Sequence, residues 1–135
     1  MTIDLQNPTD QKFEFPAATS AVNESASIYL TAGVEMVGLS CPAMEANTAA
    51  FRLEVSEDDP TVADSDATWD PVMDHSTDAT RVIIYGCTTA RRYIAFSPDQ
   101  VLIGPCRVRL EAVQNDGATA VNQDGQEVEP HYRQY

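Results

Sequence analysis

Between Ala49 and Ser56 the chain reads AAFRLEVS, with Phe51, Leu53 and Val55 alternating strictly against Arg52, Glu54 and Ser56. A two-residue repeat puts the apolar side chains on one face of an extended strand and the polar ones on the other. CRVRLEAV at 106–113 has the same texture, Val108 and Leu110 alternating with Arg107, Arg109 and Glu111. Over 81–96, RVIIYGCTTARRYIAF holds two β-rich runs, VIIY and RYIAF, around a short polar link, which predicts a hairpin-like pair. ASIYL and VEMVGLS flank Thr31–Gly33 and predict a second hairpin.

The remaining segments read as connections. Pro42 to Thr48 interrupts the pattern, and AMEANTAA has the composition for one helical turn. Residues 57–70, EDDPTVADSDATWD, form a long acidic loop, and Asn115-Asp116-Gly117 marks a turn. The tail from Val121 is polar, with one short strand expected around Gln126–Val128 and an irregular end. At the start, Pro8 and Pro16 bracket a stretch in which Phe13 and Phe15 alternate with Lys12 and Glu14. That stretch suits an edge strand of the chain's own sheet, or an arm that adds to a neighbouring subunit. Short strands at this spacing predict an all-β fold: a single antiparallel β-sandwich or jelly-roll-like domain over residues 21–135, with an extended N-terminal arm over 1–20.

Charge narrows the partners. The 135 residues carry 21 acids against 8 Lys and Arg, a net charge of −13. Nucleic-acid backbones and anionic bilayers both attract cations, so neither is an expected partner. Seven of the eight cations are Arg, with Lys12 the exception. Arg52, Arg81, Arg107 and Arg109 fall in expected strands, where a guanidinium can pair with carboxylates inside the domain or across an interface. Cys41, Cys87 and Cys106 are too widely spaced for a zinc site and are expected as buried free thiols. The opening MTIDLQNPTDQ lacks the basic start and apolar core of a secretory signal, which predicts synthesis in a reducing cytoplasm. No apolar run approaches the ~18 residues that span a bilayer.

Reaction chemistry is thinly represented. The two histidines, His75 and His131, lie outside any recognisable motif, and no phosphate loop, HExxH pair or GxSxG elbow occurs. Neither enzymatic activity nor a cofactor is expected. Asp58, Asp59, Asp64, Asp66 and Asp70 are hard oxygen ligands of the kind Ca²⁺ takes, although an EF-hand loop would need Gly where Trp69 stands and a closing Glu. A solvated acidic loop is the simpler reading. Trp69 and Tyr85 could contribute to a sugar-stacking platform, or Trp69 could anchor its own loop.

Several segments follow one another in order: Val37-Gly38-Leu39-Ser40-Cys41-Pro42-Ala43, then Phe51-Arg52-Leu53-Glu54-Val55-Ser56, Thr68-Trp69 and Asp74. Arg92-Tyr93-Ile94-Ala95-Phe96-Ser97-Pro98 and Ala120-Val121-Asn122-Gln123 follow. Over about residues 20–125 this order resembles a family of small structural proteins of tailed-phage virions. The chain departs from that pattern in an acidic insertion at 57–67 and a longer segment between Leu110 and Val121. The resemblance implies a non-enzymatic virion role. The size, charge and arm suggest a capsid decoration (cement) protein on the outer capsid surface, made in the host bacterial cytoplasm. It would bind the major capsid protein as a homo-oligomer, a trimer by preference, through Phe13, Phe15, Arg52, Arg91 and Arg92. The alternative is a receptor- or carbohydrate-binding module of the tail or baseplate.

Overall fold

The computed structural model describes residues 11–74 and 80–134. Ten strands are present among them: β1 (Phe13–Glu14), β2 (Ile28–Leu30), β3 (Val34–Cys41), β4 (Ala50–Ser56), β5 (Asp70–Pro71), β6 (Ile83–Tyr85), β7 (Arg92–Ala95), β8 (Leu102–Ile103), β9 (Cys106–Val113) and β10 (Glu127–Gln134). One sheet runs β1-β10-β3-β7, with β8 also on β3; the other runs β2-β9-β4-β5, with β6 also on β4. Every pairing is antiparallel. The chain changes sheet at six of its nine connections, and this winding between two packed five-stranded sheets is the jelly roll.

That winding corrects both expected hairpins. β2 pairs with β9 and β3 with β10 and β7, so the Thr31–Gly33 link, with Gly33 at φ 81°, is a corner between sheets. β6 likewise joins β4 while β7 joins β3, so the link through Gly86 crosses the sandwich. The expected helical turn is instead a β-turn. Thr48 N–H donates to the Glu45 carbonyl at 3.1 Å, and Asn47 adopts the left-handed φ of 73° that Asn tolerates.

The strand periodicity produces the core. Phe51 and Leu53 of β4, Val108 and Leu110 of β9 and Ile28 and Leu30 of β2 face Met36 and Leu39 of β3 and Val128 of β10, all fully buried. Each such side chain contributes roughly 1.5–3 kcal/mol by leaving water. In β3 the inward positions change phase, from Val34 and Met36 to Leu39 and Cys41. A bulge explains it: Met36 opposes Tyr132, Gly38 opposes His131, and Val37 is the extra residue between. Gly38 must be glycine, because a Cβ there would stand 2.8 Å from the Ile94 carbonyl oxygen and 2.9 Å from the Tyr93 hydroxyl.

The tail differs from its expected irregular end. β10 extends to Gln134 along β3, with Val128 and Pro130 buried and Tyr132 half-buried at period two. Pro130 is tolerated for a geometric reason. Phe96 N–H donates to the Val37 carbonyl, so in the alternating ladder the Leu39 peptide groups also point toward β7. Pro130 opposes Leu39 from the other side, where no N–H is required of it, and the pairing with β1 has ended at Val128.

Of the expected arm, residues 1–10 lie outside the described residues. The rest is woven into the domain. Phe13 pairs with Val128, Phe15 N–H donates to Gln126, and Ala26 N–H donates to Glu14. Phe13 and Phe15 are 0% and 2% exposed, and Phe15 stacks on Phe51 at 6.3 Å between ring centroids. Both rings were expected at an interface; their apolar surface is already covered by the chain's own core. Phe13→Ala is expected to lower unfolding free energy by about 3–5 kcal/mol in a urea titration, and a loss well under 1 kcal/mol would contradict this packing.

Candidate functional site

The two outer faces of the sandwich differ. On the β4–β9 face, cross-strand neighbours alternate in charge: Arg52 opposes Glu111, and Glu54 opposes Arg109. Glu111 accepts from Arg52 at 2.7 Å and from Arg81 at 3.2 Å. Arg109 pairs with Glu54 at 2.7 Å and with Glu24 at 2.7 Å. The Trp69 ring lies over Arg109, 4.3 Å from guanidinium carbon to ring centroid, with Arg107 at 5.7 Å. Trp69 Nε1 donates to the Asp64 carbonyl at 3.0 Å. Asp64 in turn accepts from the Ser27 amide and hydroxyl and from Arg107, which also donates to the Val62 carbonyl. The 57–70 loop is therefore folded down on this face and closes it.

Burial raises the Glu111 carboxyl, but hydrogen bonding and charge from Arg52 and Arg81 outweigh it and hold the group below the usual value. Glu54 moves the other way: burial and the neighbouring Glu111 charge raise it against the pull of Arg109. Arg52, expected at an interface, is instead taken up by this internal ion pair, with its side chain only 20% exposed. Cys41 and Cys87 are buried thiols pushed up to about 12 by burial, while Cys106 is half-buried and raised to about 11.

The acidic loop holds its carboxylates with donors from the chain. Asp58 accepts from Thr68 N–H, and Asp59 accepts from the amide and hydroxyl of Thr61. Among the described residues no group of three or more His, Cys, Asp or Glu is placed to hold a metal ion. Trp69 and Tyr85 are separate: Trp69 packs on Arg109, whereas Tyr85 on β6 is 52% exposed.

The outer face of the β1-β10-β3-β7 sheet is open. Tyr93 is 59% exposed and meets the His131 ring edge-on at 4.9 Å, above the space that Gly38 leaves. His131 Nε2 and Ser40 Oγ are 2.6 Å apart. Ile103, 56% exposed, lies toward one end. A hollow of about 170 Å³ lies at the other, between Lys12, Ser40, Pro42, Arg91 and Glu129. Arg91 and Arg92 are exposed where β7 begins, and neither has an ion-pair partner among the described residues. Arg52, Arg81, Arg107, Arg109 and Arg133 all have one.

The Ser40–His131 contact joins residues 91 positions apart, which no local motif announces. A nucleophilic serine also needs oxyanion donors. Ser40 lies within β3, with β10 and β7 paired on either side, so the backbone groups around it belong to the ladders. The contact orients His131 beneath Tyr93. His75, the other histidine considered, lies outside the described residues.

Because Glu111 titrates below its usual value in the folded chain, its stabilisation is complete above about pH 4.5 and is lost as pH falls through the folded value. Glu111→Gln is thus expected to cost about 3–5 kcal/mol at neutral pH, since two arginines lose their partner. That difference from wild type should shrink in denaturant titrations run below pH 4.5; a difference independent of pH would remove the ion pairs as its source. The chain matches no family model, no curated protein and no solved structure.

Proposed function

We propose that the protein is a non-enzymatic structural protein of a tailed-phage virion. In this reading it is a capsid decoration protein that docks through its open sheet face on the major capsid protein and bridges neighbouring subunits. The observation that carries the reading is Arg91-Arg92: two adjacent guanidinium groups without an ion-pair partner among the described residues, on a chain of net charge −13, beside the exposed Tyr93. Arg and Tyr are the residue types that dominate protein interfaces, and uncompensated cations select an acidic patch on the partner. The segment order that resembles small virion proteins supports the same setting. Jelly rolls serve in viral shells and in lectins alike, so the fold by itself assigns neither.

Several weak copies of one contact suffice for a shell protein. Self-association into a trimer would present three docking faces at once, each raising the effective concentration of the next. The exterior acidity would hold the protein away from DNA.

Co-sedimentation with expanded heads of the parent phage tests the proposal. Wild-type protein is expected in the pellet, and Arg91→Glu/Arg92→Glu is expected to bind about tenfold or more weakly, with wild-type binding falling as salt rises. Wild-type protein that stays in the supernatant at low salt, or binding indifferent to the charge reversal, would sink it.

A further inference from the structure

On the side of the sandwich where β6 approaches the 3₁₀ turn Pro98–Gln100, a cleft of about 310 Å³ opens to solvent. It has the volume of a small-ligand site, about 300 Å³ and upward. Tyr85, Thr80, Arg81, Asp74, Asp99 and Gln100 are among the residues that line it. None of the residues lining the cleft belongs to the Arg91–Tyr93 docking patch, and its function does not depend on that reading.

The groups lining it retain hydrogen-bonding capacity. The side-chain oxygen of Gln100 accepts from Ser97 N–H at 3.0 Å, which fixes the amide and leaves its NH₂ without a partner among the described residues. The Asp99 carboxylate and the hydroxyls of Thr80 and Tyr85 also have no partner among the described residues. Arg81 is anchored through one terminal nitrogen, on Glu111 at 3.2 Å, and its Nε is buried without an acceptor. Acceptors, donors and two-way hydroxyls thus surround one opening, beside an aromatic ring with half its surface free.

We infer that this cleft binds a neutral saccharide, with Tyr85 stacking on the C–H face of a sugar ring and Asp99, Gln100 and Thr80 bonding its hydroxyls. Adjacent sugar hydroxyls each donate and accept, which matches a mixed rim of carboxylate, amide and hydroxyl. Phosphate and other anions fit poorly: two carboxylates line the cleft against a single guanidinium, which already donates to Glu111. A bare metal ion fits no better, because the described residues hold no cluster of three ligands. The sequence grouped Tyr85 with Trp69 as a stacking pair. The fold separates them, and Tyr85 is the ring beside a cavity.

The test is a glycan array probed with the full chain, followed by saturation-transfer NMR with glucose, galactose, mannose and N-acetylglucosamine. At least one neutral saccharide is expected to bind. Tyr85→Ala and Asp99→Asn should each weaken it by about tenfold, as loss of one stacked ring or one charged hydrogen-bond acceptor does. Both positions are exposed, so both variants should melt with wild type. Tyr93→Ala, on the open sheet face, should bind sugar unchanged. Silence of the wild-type chain on the array and in NMR would overturn the assignment. So would sugar binding unaffected by Tyr85→Ala, or binding only of a cationic Arg-rich peptide that Asp99→Asn abolishes and Tyr85→Ala leaves intact, which would make the cleft a contact for a protein side chain.

Discussion

The interleaved Arg and Glu residues between β4 and β9 are the constraint on which the exterior depends. Arg52 against Glu111 and Arg109 against Glu54 neutralise one sheet face from within. A planar guanidinium suits this role, because it can bond a carboxylate along its edge while an aromatic ring lies on its face, as Trp69 does on Arg109. Such pairs add little net stability over apolar packing, but losing one partner leaves a half-buried charge uncompensated. The consequence is directional: with this face covered by the 57–70 loop, the outer face of the opposite sheet is the one left open.

The all-β class and the two longest partner strands of the second sheet were legible in the sequence because period-two alternation survives wherever one face is buried and the other polar. Residues 51–56 and 107–112 show it without interruption. Pairing was not legible. In a jelly roll, strands next to each other along the chain lie in opposite sheets, and a corner uses the same Gly and Thr residues as a hairpin turn. The β3 pattern was blurred by the bulge at Val37, which shifts the inward set by one position. β10 was expected only around Gln126–Val128 because the tail reads as polar, and the ladder position that lets the strand run on through Pro130 leaves no local signal.

The functional groups divide along the same line. Arg91 and Arg92 stand out in the sequence as adjacent cations, and neither gains an ion-pair partner among the described residues. Phe13 and Phe15 have the composition of a docking arm, and alternation alone does not say whose sheet a strand joins. Ser40 with His131, and Tyr85 with Asp99 and Gln100, are brought together by the winding of the sandwich and leave no local signal.

The proline in β10 has a further consequence for how copies of this chain coexist. Beyond β1, a foreign strand seeking to extend the sheet at that margin would meet a ring where it requires a hydrogen-bond donor. Pro130 thus removes one donor from the part of β10 that lies past its pairing with β1, which disfavours an added strand at that point.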